Sequence, residues 1–453
     1  MSKASIDRRS FLRKGLAATA GTVILPHIIP ASALGRGGFI APSDRIVMGA
    51  IGVGGMGTGN MRNFLTKKAV QFVSVCDVDE RHTTRAKGLI NAAYGNSDAR
   101  SYWDYKEFLE NEKLDAVMMA LPDHWHAIVA VTAANKGLDI YGEKPLARTI
   151  TEGRAIVDAA HKNNIVWQTG SWQRSVDKFR VAAELVRNGV IGKVTHVEVG
   201  LPDGKTSIGT PPVQAPPAEV NWERWLGPAP KVPFRGVLHF DWRWMMDYSG
   251  GQMTDWAGHH IDIAHWGLGF DEIGPVEVKG KGVFPVDGIY NVPVEYVVES
   301  KYENGVEMTV AHQSYYHKSR QGGPWKQHAE MKMGLGMGTV WYGELGWIHV
   351  GRRGLIASNP EFLNTPADQL ENKLYHSTDH WQNFVDCVKS REKTITPVET
   401  AHRSISVALL GEIAILTGEN LKWDYKQERF TNSEYANRLL ARPFRAPWQI
   451  PQI

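Results

Sequence analysis

One stretch of the chain places a carboxylate and an imidazole at a spacing that suits proton transfer. Residues 250–266 read GGQMTDWAGHHIDIAHW. On a helix, Asp255, His259 and Asp262 follow at i, i+4 and i+7 and share one face, whereas His260 lies about 100° further round. An imidazole with a reference pKa of about 6.5 is suited to taking a proton from an alcohol. The pattern predicts that His259, aligned with the Asp255 carboxylate, is a catalytic base; the alternative is a helix that these polar side chains only stabilise.

A lysine provides a second reactive group. Glu143, Lys144 and Pro145 directly follow a strand-like run, residues 138–141. A lysine at the carboxyl end of a strand can donate a hydrogen bond to a substrate hydroxyl and polarise it. A lysine in this position is also often only solvated, so both interpretations stay open from this motif alone.

A glycine-rich turn indicates which partner these groups work with. An apolar run leads into Gly52, Gly54 and Gly57 at G-x-G-x-x-G spacing, with Gly55 and Met56 between the last two. The first glycine allows a tight turn, the second lets backbone N–H groups approach a pyrophosphate, and the third lets a helix pack closely. The amino end of that helix then faces the phosphates with its partial positive charge. The turn therefore predicts a dinucleotide site, although an incidental glycine turn has the same spacing.

An acidic residue completes the dinucleotide pattern. A second strand-like run, residues 70–76, ends at Asp77, 20 residues after Gly57. A carboxylate at this offset accepts hydrogen bonds from ribose hydroxyls. It also repels a 2′-phosphate, so the sequence predicts NAD rather than NADP as the cofactor.

The elements that must position these groups alternate between strands and helices from about residue 43 to residue 166, which predicts a parallel, doubly wound sheet. Ligands bind at the carboxyl ends of such strands. The residues that follow the strands are therefore predicted to contact the cofactor: Gly52, Gly54, Gly55, Met56, Gly57, Asp77, Pro122, His126, Glu143, Lys144 and Pro145.

The pattern changes after about residue 170. Strand-like alternation at 276–283, 295–302 and 307–315 predicts an α+β domain with an open, mostly antiparallel sheet. The predicted fold class is thus α/β, with a nucleotide-binding Rossmann domain at 44–166 and a substrate and oligomerisation domain at 167–380. Helices at 381–420 are expected to pack back on the body, and residues 421–453 to form a tail.

A long stretch rich in proline and tryptophan, residues 202–246, interrupts the second domain. Its tryptophans either stack on sugar rings or anchor the loop to the core. Trp242 and the adjacent Arg243 are predicted to contact the substrate.

Composition limits the function. The chain has 453 residues, 43% hydrophobic and 22% charged, which is ordinary for a soluble globular protein of more than one domain. Residues 1–33 contain five basic side chains and one acid, so the remainder has 46 basic and 47 acidic residues, a net charge of −1. This balance argues against nucleic-acid binding. Cys76 and Cys387 are expected to be buried free thiols, and no metal site is predicted because CxxC and HExxH motifs are absent from the sequence.

The amino terminus is similar to a twin-arginine export signal. Arg8 and Arg9 precede a mildly apolar stretch, and Ala31-Ser32-Ala33 resembles a cleavage site. We expect residues 1–33 to be a signal peptide, the mature protein to be periplasmic, and no membrane anchor to remain after cleavage.

In combination these motifs resemble the glucose–fructose oxidoreductase, inositol dehydrogenase and rhizopine-catabolism (Gfo/Idh/MocA) family over residues 44–420. The resemblance implies an active site between a Rossmann domain and an open sheet, NAD(P), a small carbohydrate or cyclitol substrate, and a homodimer or homotetramer formed through the sheet face. It also implies that Lys144 contacts the reacting hydroxyl, Asp255 binds substrate and His259 is the general acid/base. The motifs that carry it are Gly52-x-Gly54-x-x-Gly57, Asp77, Pro122-x-x-x-His126, Glu143-Lys144-Pro145 and Gly250-Gly251…Asp255-x-x-x-His259.

Three functions follow from this resemblance. The first is an exported NAD-dependent oxidoreductase that transfers hydride between a secondary hydroxyl and tightly bound nicotinamide. The second is a redox-neutral glycosidase that oxidises its substrate transiently and eliminates the aglycone. Relatives of that kind resemble a Thr-His-Gly type segment where this chain has Asp255-x-x-x-His259, which favours the first. The third, a non-catalytic binding protein, is disfavoured by the three aligned reactive side chains.

Overall fold

The computed structural model describes residue 41 and residues 44–236, 239–319 and 336–453. The predicted export signal at 1–33 lies outside the described residues. In the described part, no helix is both long enough and apolar enough to cross a bilayer. Cys76 and Cys387 are buried free thiols, as expected.

Six strands form a parallel sheet, as predicted, in the order β3-β2-β1-β4-β5-β6. The order reverses at β1, so the carboxyl ends of β1 and β4 open a crevice at which such sheets bind ligands. The strands are β1 Ile46–Ile51, β2 Val70–Cys76, β3 Arg100–Tyr102, β4 Ala116–Met119, β5 Asp139–Gly142 and β6 Trp167–Thr169. The connecting helices are α1 Gly55–Leu65, α2 Glu80–Tyr94, α3 Tyr105–Asn111, α4 Asp123–Asn135 and α5 Ile150–Lys162.

A second sheet of nine strands is mixed and mostly antiparallel, which confirms the predicted fold class. Its order is β13-β12-β11-β7-β10-β9-β8-β14-β15, and only the β7–β10 pair is parallel. The strands are β7 Val194–Leu201, β8 Glu277–Val283, β9 Glu295–Lys301, β10 Glu307–His312, β11 Gly338–Gly343, β12 Gly346–Gly351, β13 Gly354–Ala357, β14 Leu421–Asp424 and β15 Arg429–Phe430.

Of the remaining helices, some pack on strands of this sheet and others pack on elements of the parallel-sheet half. They are α6 Asp177–Arg187, α7 Trp222–Leu226, α8 Gly251–Asp255, α9 Ala257–Leu268, α10 Gln313–Ser319, α11 His380–Ser390, α12 Val398–Thr417 and α13 Glu434–Arg438. Helix α12 packs on α9, on β8 and on α5, so it contacts elements of both sheets. A buried ion pair, Arg148 to Glu412 at 2.7 and 2.9 Å, fastens it to the segment that follows β5.

Three sequence-based expectations about elements are wrong. The strand expected at 307–315 ends at His312, because Asp203 accepts the N–H and hydroxyl of Ser314 at 3.1 and 2.5 Å and starts α10. Strands β11 to β13 were not expected. The segment 421–453 is more than a covering tail, since Leu421 pairs with Val278 and extends the sheet. In addition, β6 follows residue 166, the predicted end of the nucleotide-binding domain.

The segment 202–246 is mostly irregular, and its aromatic residues anchor it. Trp222 stacks on Trp225 with ring centres 4.8 Å apart and planes 14° apart. Trp225, Trp242 and Trp244 are all at most 6% exposed. The packing shows that these tryptophans anchor the segment, and it does not test whether they also stack on a sugar ring.

Candidate active site

The glycine turn between β1 and α1 allows two close backbone approaches. Gly52 has φ +81°, and a Cβ on it would lie 2.4 Å from the carbonyl oxygen of Ala120. A Cβ on Gly57 would lie 2.0 Å from the carbonyl oxygen of Gly52. Helix α1 begins without a side-chain cap, and the turn lines a cleft at the carboxyl edge of the sheet. The first-turn amides are therefore available to a pyrophosphate.

Asp77 lies at the end of β2 on the same cleft. One carboxylate oxygen accepts the N–H of Val53 at 2.8 Å and lies 3.3 Å from Nδ1 of His82; the other accepts the N–H of Asp79 at 3.0 Å. These bonds fix the carboxylate plane while each oxygen keeps further acceptor capacity. The residues present therefore fit the ribose of a dinucleotide, as the sequence predicts.

Aromatic side chains from distant parts of the chain line the cleft near Asp77. Trp103 directly follows β3, whose last residue pairs with the last residue of β2. Trp125 donates its indole N–H to the carbonyl of Trp225 at 2.9 Å. Trp448 packs edge-on against Trp125, with ring centres 4.8 Å apart. Flat apolar walls of this kind suit a purine ring.

Lys144 and Asp255 are 111 residues apart in the sequence and form an ion pair in the structure. The ammonium of Lys144 donates to Oδ1 of Asp255 at 2.9 Å and to its main-chain carbonyl at 3.1 Å. Arg243 donates from Nε to the same Oδ1 at 3.3 Å. Burial alone would raise the pKa of Asp255, but these two cations more than offset it and hold the pKa below its usual value. All three residues line the cleft, so the reactive groups and the glycine turn face one space.

Glu143 fixes the strand end that carries this lysine. Its carboxylate accepts the side-chain N–H of Asn60 at 2.8 Å and the N–H of Lys144 at 3.3 Å. Burial raises the pKa of Glu143, with Lys144 opposing the shift. Asn60 lies on α1, so the glycine helix and the lysine are held by one carboxylate.

His259 lies in a buried aromatic environment next to this pair. The expected single helix is interrupted at Trp256, whose carbonyl nevertheless accepts the N–H of His259 at 3.0 Å and continues the turn. The ring centres of Trp256 and Trp172 lie 5.1 and 6.3 Å from the ring centre of His259. Burial, followed by Lys144 and Arg352, lowers the pKa of His259 well below its usual value. Its imidazole is therefore neutral at pH 7, and its Nδ1 has no partner among the described residues.

His260 has a different environment. Its ring stacks on Trp256, and its Nδ1 lies 3.4 Å from the side-chain nitrogen of Gln173. Burial lowers its pKa to about 3. Both histidine rings contact Trp256, but the ring of His259 also contacts Trp172 whereas that of His260 faces Gln173.

The remaining predicted residues take varied positions. Pro122 and Trp242 line the cleft, whereas Pro145, His126 and His259 are not among its lining residues. The ring nitrogens of His126 lie 2.9 and 3.3 Å from the main-chain carbonyl oxygens of Leu121 and Leu146, so this side chain connects the segments that follow β4 and β5. Asp262, which the helical spacing placed on the face of Asp255 and His259, forms a buried bidentate pair with Arg174 at 2.7 and 2.9 Å.

One cluster of polar side chains at the cleft was not predicted from the sequence. Asp79, His82 and His239 have ligand atoms within 4.8 Å of one another, a geometry that could hold a metal ion. Both oxygens of Asp79 already accept from Arg81, at 2.9 and 2.6 Å, and Nε2 of His239 lies 3.2 Å from one of them. We interpret the cluster as a polar contact that brings segment 202–246 over the edge of the cleft beside Asp77.

Comparison with known proteins agrees with this geometry. Relatives include an alpha-N-acetylgalactosaminidase from Shewanella oneidensis, 28% identical, and a glycosyl hydrolase family 109 protein from Shewanella sp. (strain MR-4), 29% identical. Each match covers 215 residues, 43% of this chain, so the chain spans only 45% of the length of these curated relatives.

Solved structures share the fold at low identity. The WlbA dehydrogenase from Bordetella pertussis, in complex with NADH and UDP-GlcNAcA, is 15% identical with a TM-score of 0.59, covering 84% of this chain and 98% of its own. A myo-inositol 2-dehydrogenase from Lactobacillus plantarum is 17% identical with a TM-score of 0.53, covering 83% and 99%.

Two family models together match most of the chain. The oxidoreductase family model for an NAD-binding Rossmann fold matches residues 46–171. The model for the C-terminal alpha/beta domain of that family matches residues 184–328 and 351–450. With its NAD-binding Rossmann sheet, its second sheet and the cleft that Lys144 and Asp255 line, this chain belongs to the Gfo/Idh/MocA oxidoreductase family.

Proposed function

We propose that this protein is an NAD-dependent oxidoreductase that transfers hydride between a secondary hydroxyl of a sugar, glycoside or cyclitol and a tightly held nicotinamide. The observation that carries the proposal is the Lys144–Asp255 pair, 2.9 Å apart, on the cleft that the glycine turn and Asp77 also line. A cation and an acid that have less than 10% of their side chains exposed are costly to bury for packing alone.

Each side chain has a defined task. Lys144 holds the alcohol oxygen, Asp255 orients the ring through a neighbouring hydroxyl, and neutral His259 accepts the hydroxyl proton. A histidine with a lowered pKa is a weak base, so the Lys144 ammonium must stabilise the developing alkoxide as the proton leaves. NAD, when bound, supplies the acceptor for the hydride.

The nucleotide end of the cleft supports NAD and firm retention. Asp77 repels a 2′-phosphate, and Trp448 and Trp225, from the last residues and from segment 202–246, enclose the space beside it. We expect purified protein to release NAD on denaturation; NADP, or no nucleotide at all, contradicts this. Asp77→Ala should weaken NAD binding more than NADP binding.

A second candidate function is that of a redox-neutral glycosidase, and the names of the curated relatives support it. Curated relatives are named as glycosyl hydrolase family 109 proteins and as an alpha-N-acetylgalactosaminidase. A retained cofactor also suits a cycle that returns its hydride to the same sugar. The same three side chains serve both functions, so the products distinguish them.

Export and assembly belong to the same proposal. Arg8-Arg9 and the Ala31-Ser32-Ala33 segment support a twin-arginine signal with cleavage after Ala33 and a periplasmic enzyme. Fractionation of cells that express the native form and the Arg8→Lys/Arg9→Lys form tests this; equal periplasmic yield contradicts it. We further propose a homodimer or homotetramer through the second sheet, which sedimentation tests.

The experiment that tests the proposal is a panel of sugars, glycosides and cyclitols incubated with cofactor-loaded protein, with products identified by mass spectrometry. A product two hydrogens lighter than the substrate supports the oxidoreductase. Release of an aglycone with no net oxidation supports the glycosidase. Unchanged substrates throughout contradict both.

A further inference from the structure

The guanidinium of one arginine lies over the rings of two tryptophans that contact His259. The guanidinium of Arg352, in the turn between β12 and β13, is 4.9 Å from the ring centre of Trp172 and 4.2 Å from that of Trp256. These are the rings that contact His259. Such stacking fixes the plane of a guanidinium and leaves its N–H edge free to recognise a planar oxyanion.

The hydrogen bonds of Arg352 are incomplete within the described residues. Nε donates to the side-chain oxygen of Gln173 at 3.1 Å, but neither terminal nitrogen has an acceptor there. No described carboxylate lies within ion-pair distance of it. A partly buried guanidinium without an acid is costly unless an anion pairs with it.

A second arginine shows the same arrangement on the other side of Asp255. Arg243 lies 4.7 Å from the ring centre of Phe240 and 4.4 Å from that of Trp242. It donates to Asp255 from Nε at 3.3 Å and to the carbonyl of Phe240 from Nη1 at 3.3 Å. Its Nη2 has no acceptor among the described residues.

The carboxylates around the reactive group already have other partners. Asp255 accepts from both Lys144 and Arg243, Glu143 accepts from Asn60, and the buried Asp123 accepts from Ser249 at 2.6 Å. Among the described residues none of these acids pairs with Arg352, so an acceptor for its terminal nitrogens can come from the substrate.

We propose that the substrate carries an oxyanion on or beside the reacting ring, a carboxylate or a sulfate ester, and that Arg352 binds it with help from the free edge of Arg243. This inference rests on the proposed carbohydrate function and specifies its substrate class. A charge-assisted, bidentate contact of this kind contributes both affinity and orientation.

Binding to the cofactor-loaded protein tests the inference without requiring turnover. Methyl glycosides of the gluco, galacto and manno series are each compared by calorimetry as three forms: neutral, 6-carboxylate and 6-sulfate. We expect an anionic form to bind at least about 10-fold more tightly than its neutral counterpart. Preference between carboxylate and sulfate identifies the oxyanion.

Variants identify the residue responsible. Arg352→Met keeps the stem between the tryptophans and should remove most of the anionic preference, measured as the ratio of the affinities for the anionic and the neutral form. Arg353→Gln, at the exposed neighbour in the same turn, is the matched control and should change nothing. If Arg352→Met does not fold, Arg352→Lys keeps the charge without the planar fork and should still reduce the preference.

Two results would overturn the inference: equal binding of neutral and anionic sugars, or an anionic preference that survives the loss of Arg352. Failure of every sugar to bind contradicts the proposed function as well, and that outcome differs from binding without charge preference.

Discussion

The Lys144–Asp255 pair should couple stability to catalysis in a measurable way. Lys144→Met removes a cation whose partner has 9% of its side chain exposed, and the Asp255 carboxylate then keeps only Arg243, at 3.3 Å. Breaking a buried ion pair from one side costs about 3–5 kcal/mol. Because the arginine remains, we expect the lower end, about 3 kcal/mol, from Lys144→Met. Asp255→Asn should cost about as much by leaving both cations without their acid.

Combining the two changes should recover stability but not activity. In Lys144→Met/Asp255→Asn only Arg243 is left without its acid. The double variant should therefore unfold at a higher urea concentration than the sum of the single effects predicts, a coupling of about 2 kcal/mol. Turnover should stay at least about 100-fold below that of the native protein in all three variants, since positioning of the alcohol is lost.

The assay is urea unfolding of cofactor-loaded protein, read as a double-mutant cycle, with single-turnover rates on the same samples. Lys279→Met, which breaks an exposed pair with Glu299 on the second sheet, is the matched control and should scarcely move the midpoint. Additive destabilisation by the two changes would refute the coupling. A double variant with native turnover would refute the catalytic roles.

Further predictions concern the histidines, pH and the glycine turn. His259→Ala should lower turnover by about 10²–10⁴-fold with NAD still bound, and His260→Ala much less; equal losses contradict the assignment. Folded-state pKa values lowered by burial, to about 3 for His260 and about 4 for His380, mean that the unfolded chain binds more protons below about pH 6.5. The free energy of unfolding should therefore be greatest above that pH and fall between pH 6.5 and pH 4; a midpoint that rises on acidification contradicts this. Gly57→Ala, whose Cβ would lie 2.0 Å from a carbonyl oxygen, should abolish cofactor retention or folding, as measured by nucleotide content.

The cofactor half could be predicted from the sequence because its residues follow strands directly. Gly52, Asp77 and Lys144 each come at the end of a parallel strand, and parallel strands bring their carboxyl ends to one edge. The position of each residue at a strand end therefore predicts that the three side chains lie close together. The same argument assigned His126 to the cofactor, but its ring nitrogens face main-chain carbonyls instead.

The substrate-binding part of the site is formed by residues that are distant in the sequence, and the spacing of residues within a motif does not predict such contacts. Arg352 reaches the site from a hairpin of β12 and β13, and Trp448 from near the end of the chain, so neither carries a motif. Helical periodicity predicts different surroundings for His259 and His260, and their rings share Trp256 but differ in their other neighbours. It could not show that Arg174, on a different element, pairs with Asp262.

Hydride transfer to the bound nucleotide is the central claim, and one measurement tests it most directly. Protein purified with its cofactor is mixed with a binding glycoside, and the absorbance of reduced nicotinamide is followed through a single turnover, beside the His259→Ala and Lys144→Met variants. We predict a rise in the native protein that both variants slow by at least about 100-fold while their NAD content is unchanged. A native protein that binds sugar and NAD but never reduces the nicotinamide, even transiently, would contradict the account.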